Sequence, residues 1–166
     1  KLARLVDIVD NEFSGQSVMV YCFHIEAQRA IADELKKIGR TPMILNGETP
    51  DDERYKIQTD FNSGKCDVII TNIKKSLNLY GGDVCIFYSV LTNPSALFQA
   101  AGRIDRNVDD KIKSYILLLY ANTDEYKMFT NVVKQRAQDS RDLTLDAKTT
   151  VDYFIESMQE SECENN

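Results

Sequence analysis

The sequence predicts an α/β domain built on a parallel sheet with helices on both faces. Short apolar runs rich in Val, Ile, Leu, Phe and Tyr recur along the chain, near-continuous rather than alternating, as strands buried on both faces require. The stretches between them carry apolar residues at i, i+4 and i+7, the period of a helix with one buried face. With 166 residues and 43% hydrophobic content, one chain of this size buries a sizeable core.

The elements follow in order. Leu2, Leu5, Val6, Val9 and Phe13 fit one apolar helical face before Gly15. Val18–Phe23 reads as the first strand, and residues 25–38 as a helix through Ala27, Ile31, Leu35 and Ile38. Residues 42–45 give a second strand. Residues 51–62 give a helix with Tyr55, Ile57, Gln58 and Phe61, left through Asn62-Ser63-Gly64. Asp67–Thr71, Val84–Tyr88 and Ser114–Tyr120 are the remaining strands. Asn93 and Pro94 form a helix start, an Asx cap followed by proline at the first helical position, and that helix is predicted to run to about residue 104. A last core helix covers about 124–138, before a polar connection and an amphipathic stretch through Val151, Phe154, Ile155 and Met158. The final Glu160–Asn166 is acidic and expected to fray. Right-handed crossovers place helices on both faces, and ligands are expected at the carboxyl ends of the strands.

The richest stretch is Gln99-Ala-Ala-Gly-Arg-Ile-Asp-Arg106. On a helix, Leu97, Ala101 and Ile104 form an apolar stripe, and Gln99, Arg103 and Arg106 a polar one half a turn away. That geometry suits gripping a phosphate, and Gly102 between the arginines lets a ligand or backbone come close. A solvated surface has the same pattern.

Charge and chemistry narrow the field. The net charge of −6 excludes coating of nucleic acid by bulk charge, so any such contact is local. Cys22, Cys66, Cys85 and Cys163 include no C-x-x-C pair, and three lie in apolar runs, which points to reduced thiols and a cytoplasmic, reducing compartment. No signal peptide or spanning apolar run is present, so a soluble protein without a membrane partner is expected. Lys1 in place of Met suggests a piece of a larger protein. Gly64-Lys65 has Thr59 where a P-loop needs its first glycine, and G-x-G-x-x-G, H-E-x-x-H and G-x-S-x-G are all missing. His24 is the sole histidine, without partners for a zinc site or a triad, so no metal site is predicted and a strand-end structural role is favoured. Asp51-Asp52 sits where a helix start welcomes negative charge, and Asp109-Asp110 in a turn beside a strand.

Four blocks, in this order, resemble a known family. Val18–His24 is similar to an opening strand with motif IV. Leu45-Asn-Gly-Glu-Thr49 through Glu53-Arg54 to Asp60-Phe-Asn-Ser-Gly64 is similar to the G-x-T, E-R and F-N-x-G run. Asp67–Thr71 with Ser76-Leu-Asn-Leu79 and Gly82-Asp83 resembles motif V, and Asn93-Pro94 leading into Gln99–Arg106 resembles motif VI. The chain resembles the second RecA-like lobe of a superfamily 2 helicase or translocase, most of all the Swi/Snf branch. It departs from that branch at Ile73-Lys-Lys-Ser76, where glycines are usual, and at Asp105 and Asn107-Val-Asp109, as in a divergent bacterial or phage member.

The resemblance implies a RecA-like domain over residues 1–138 and an extension over 139–166. It implies the C-terminal motor lobe of an ATP-dependent DNA helicase or translocase, with ATP and its Mg2+ held by an N-terminal RecA-like lobe outside this sequence. Arg103 and Arg106 would then be arginine fingers, which fixed, permanently charged guanidinium forks suit. Gln99, Gly102 and Asn78 would lie at the nucleotide. Gly47, Thr49, Thr71 and His24, with Lys74 and Lys75, would meet the nucleic-acid backbone, more DNA than RNA, reading phosphate and not sequence. Lys74 and Lys75 are equally well read as loop lysines in water. The lobe alone is expected to be inactive. The competing reading is a non-catalytic α/β interaction module that keeps the fold without motor activity.

Overall fold

The computed structural model describes residues 1–72, 77–91, 94–104, 113–119 and 123–139, without the side chains of 94, 95, 98 and 132–139. Five parallel strands, β1 (Val18–Tyr21), β2 (Pro42–Leu45), β3 (Val68–Thr71), β4 (Val84–Phe87) and β5 (Ser114–Leu117), form one sheet in the order β2-β3-β1-β4-β5. This is the RecA-like α/β architecture expected from the sequence. β1 lies at the centre, and each of its residues pairs on both sides, Val18 with Val68 and Val84 through to Tyr21 with Thr71 and Phe87. The chain therefore passes over one strand twice, over β3 on the way from β1 to β2 and over β1 on the way from β3 to β4, by the crossover connections that parallel strands require.

Pleating divides the core. Met19, Tyr21, Ile69, Cys85 and Phe87 point to one face, where they meet Ile57 and Phe61 of α3 (Asp51–Asn62), Leu97 and Ala100 of α4 (Pro94–Ala101) and Phe129 of α5 (Asp124–Asp139). Val18, Val20, Val68, Ile70, Val84 and Ile86 point to the other, against Leu5 of α1 (Leu2–Asp7) and Ile31, Ala32 and Leu35 of α2 (Ile25–Lys37). Strands apolar at every position have this layered arrangement as their explanation. The amino-terminal helix buries Leu5, Ile8 and Val9 on one stripe, and after Asp7 it widens into a π-helical segment, Ile8–Glu12, with the Phe13 N–H on the Ile8 carbonyl.

Helix ends follow their punctuation. Gly39 (φ +82°) and Gly64 (φ +75°) take the left-handed conformation just beyond α2 and α3. Asp51, Asp52 and Glu53 fill the first turn of α3, as the sequence predicts for a positive helix end. Cys22, Cys66 and Cys85 are buried free thiols, and burial pushes the Cys66 thiol up to about 11. No helix among the described residues is long and apolar enough to cross a membrane. Asn93, the amphipathic stretch from Val151 and the acidic tail lie outside the described residues.

Candidate functional site

The sequence-predicted site residues separate to opposite edges of the sheet. At the carboxyl edge, the turn after β2 holds Gly47 and Thr49. The Asn46 carboxamide oxygen accepts the Glu48 N–H at 2.9 Å, an Asx turn, and the Thr49 hydroxyl accepts the Asn46 N–H at 3.1 Å. Arg54, one turn into α3, donates from Nε to the Thr49 carbonyl at 2.7 Å and from Nη2 to the Gly47 carbonyl at 3.1 Å. Behind the turn Gln28, fully buried on α2, donates to the Cys22 carbonyl at 2.8 Å and accepts from the Asn46 carboxamide at 3.0 Å. The loop after β1 and the turn after β2 are thus tied through one buried amide pair. His24 caps α2 without a side-chain cap bond, and its exposed ring meets Phe23 edge-on at 5.5 Å.

Thr71 ends β3 at 1% exposure, so its side chain packs inside the lobe instead of facing outward. Its carbonyl receives the Cys22 N–H at 2.9 Å, which joins it to the same edge. Lys74, Lys75 and Arg106 lie outside the described residues.

Arg103 lies at the amino edge. The expected helix through residue 104 stops at Ala101, and the N–H groups of Arg103 and Ile104 bond three residues back, to Ala100 (3.2 Å) and Ala101 (3.3 Å). Gly102, a weak helix former, stands exposed at the break. Gln99 and Arg103 therefore do not share a continuous helical face. The reason is tertiary: the Arg103 carbonyl accepts the Leu79 N–H at 3.0 Å, and its guanidinium Nη1 donates to the Leu77 carbonyl at 3.3 Å. A helix end has carbonyls to satisfy, and here an irregular segment before β4 supplies the partner. Asn78, exposed, belongs to that segment. Its N–H donates to the Gln58 side-chain oxygen at 3.0 Å and its carbonyl accepts from Asn62 at 2.8 Å.

Glycines shape this edge. A Cβ on Gly81 would stand 2.7 Å from the Asn62 Cα, and one on Gly82 2.7 Å from Ile104 Cγ2. The pair wedges between the end of α3 and the turn that carries Arg103. Beside it, Tyr55, Gln58, Asn62, Asn78 and Tyr80 line a shallow groove of about 400 Å³. Below, Arg40 pairs with Asp67 at 2.6 Å and donates to the carbonyls of Val9 (3.0 Å) and Gln16 (2.5 Å), fastening the amino-terminal helix to the strand starts. Burial pushes the Asp67 carboxyl up, but the Thr41 N–H and hydroxyl and the Arg40 guanidinium outweigh it and hold it below its ordinary value.

Sequence reasoning placed Asn46, Arg54 and Asn62 inside motif blocks without giving them a role, and did not name Gln28 or Gly81. Asn46-x-x-Thr49 and Gly81-Gly82 carried turn signals that could have found two of the joints. The partners of Gln28 and Asn62 are far along the chain, and no local pattern names them.

The model of the helicase conserved C-terminal domain matches residues 1–108. Among curated relatives, DNA repair and recombination protein RAD54B of Gallus gallus is 24% identical over 164 residues, 96% of this chain and 18% of that protein. ATP-dependent DNA helicase Q1 of Mus musculus is 21% identical over 133 residues, 79% of this chain and 20% of that protein. The chain thus spans about a fifth of the length of these relatives. A solved structure, the C-terminal part of the Fun30 ATPase domain, superposes with a TM-score of 0.68 at 20% identity, over 89% of this chain and 46% of that one. The match over residues 1–108 places the chain in the helicase conserved C-terminal domain family, and the five parallel strands among the described residues have the fold of the superposed structure.

Proposed function

We propose that the chain is the C-terminal motor lobe of an ATP-dependent DNA helicase or translocase, in which Arg103 and Arg106 act as arginine fingers on ATP held by an N-terminal RecA-like lobe. The observation that carries this reading is the junction of Arg103 with Leu77–Leu79. Two blocks 26 residues apart meet through the Leu77 carbonyl, so one compact surface presents Asn78 and a cation that cannot deprotonate. ATP with Mg2+, when bound by the first lobe, supplies the phosphoryl group that is hydrolysed. This lobe contributes charge and position: a guanidinium set beside the transferring group stabilises charge that develops there. Gln99 and Gly102, both exposed, flank the turn and leave room for approach.

Nucleic acid is taken at the opposite edge, along the exposed Gly47 and His24 and beside Thr49, with Lys74 and Lys75 supplying local charge to an otherwise acidic lobe. Thr71, being buried, braces that edge from beneath. Three carboxylates in the first turn of α3 repel phosphate there and confine the contact to the turn itself. The choice of DNA over RNA rests on the names of two relatives, a DNA helicase and a DNA repair and recombination protein, while a third is named an RNA helicase.

The test uses the full-length protein. Arg103→Ala and Arg106→Ala should each lower DNA-stimulated ATP hydrolysis by about 10³-fold or more while DNA binding persists. Unchanged hydrolysis in both variants would sink the motor reading and leave the interaction module in its place.

A further inference from the structure

We propose that Asn62 is a positioning residue for Arg103; the inference rests on the reading of Arg103 given above. Asn62 is the last residue of α3, and its carboxamide spans the irregular segment before β4. Nδ2 donates to the Asn78 carbonyl at 2.8 Å and Oδ1 accepts the Gly81 N–H at 3.0 Å, so one side chain brackets four residues. Leu79, inside that bracket, holds the Arg103 carbonyl at 3.0 Å, and Leu77 beside it receives the guanidinium.

Residues 77–81 belong to neither helix nor strand, so no ladder holds their backbone. Asn62 takes the place of a ladder, with Gln58 adding a bond to the Asn78 N–H at 3.0 Å. The glycine pair leaves little room for the segment to shift: a Cβ on Gly81 would run into the Asn62 backbone, and one on Gly82 into Ile104, the residue after Arg103. A shift of the segment therefore moves the turn that carries the arginine. Asparagine is specific here because it offers a donor and an acceptor on one short planar group. Aspartate keeps the acceptor for Gly81 but sets a second oxygen against the Asn78 carbonyl.

Asn62→Asp and Asn62→Ala are compared in the full-length protein with Thr59→Ala, whose exposed hydroxyl, among the described residues, bonds only to its own helix, at the Tyr55 carbonyl. ATP hydrolysis is followed against ATP and against a plain double-stranded DNA fragment. Both Asn62 variants should lose about tenfold or more in kcat, with KM for ATP and the half-saturating DNA concentration within about twofold and the melting temperature nearly unchanged. Thr59→Ala should match the parent. If Arg103→Ala is inactive while both Asn62 variants keep kcat within about twofold, the positioning role is overturned and the reading of Arg103 survives. If Arg103→Ala is fully active, it is that reading which fails. A fall in kcat that only tracks unfolding in both Asn62 variants assigns the residue to stability alone and also overturns the proposal.

Discussion

The two edges of the sheet are held together by different physics. At the carboxyl edge, carboxamides and backbone carbonyls do the binding: Asn46 donates a buried hydrogen bond to Gln28, and the Arg54 guanidinium closes the turn on its carbonyls. At the amino edge, close packing and charge do it: two glycines let backbones touch, and Arg40 pairs with Asp67. The first edge keeps its shape at any pH where the protein folds. The second depends on absent side chains and on a carboxylate, so it is the more easily broken. Under the proposed function, the first arrangement would hold a loop that presents backbone to a phosphate, and the second a turn that carries an arginine to a nucleotide.

Glycine substitution separates the edges most sharply. Gly81→Ala should destabilise the protein by about 3 kcal/mol, because its new methyl meets backbone atoms that cannot move aside. Urea unfolding measures this, and a midpoint equal to the parent's would show that the wedge is soft. Gln28→Ala should cost about 2 kcal/mol by leaving the Asn46 carboxamide and the Cys22 carbonyl without a partner in the interior. A double-mutant cycle with Asn46→Ala should recover about 1 kcal/mol of coupling, and additivity would dissolve the amide link.

The charged edge has a pH signature. The folded carboxyl of Asp67 lies below its ordinary value, so its contribution is complete above the ordinary carboxylate pKa and disappears as pH falls through the folded one. Asp67→Asn should cost about 1 kcal/mol at neutral pH and less in acid, flattening the acid limb of the stability curve. An acid limb parallel to the parent's would remove the charge from that edge's account. The smallest effect belongs to Gly47→Ala, where a Cβ meets nothing within 4 Å, and stability should stay within about 0.5 kcal/mol. The same protein tests whether side-chain bulk at Gly47 weakens DNA binding, the outcome expected if its backbone faces a phosphate.

The strands were legible because burial on both faces leaves near-continuous apolar runs such as Val18–Tyr21 and Val84–Phe87. The end of α4 was not. Its apolar stripe continues through Ile104, which is buried as the stripe requires, although the backbone there has already left the helix. Periodicity reports which residues are buried and is blind to a turn that buries the same residue by another route. The rule that ligands gather at the carboxyl ends of parallel strands likewise pointed to one edge, while Arg103 stands at the other.

By itself, the sequence determined the class of fold, the five strands, the burial of three cysteines and the family resemblance, because each rests on local pattern or on the order of short motifs. Only the tertiary structure decided which edge each motif serves and what holds it there. Hydrogen bonds such as Asn62 to Asn78, Gln28 to Asn46 and Arg103 to Leu77 join residues 16 to 26 positions apart. Partners of that kind are chosen by the closing of the sheet and its helices, and side-chain chemistry alone does not name them.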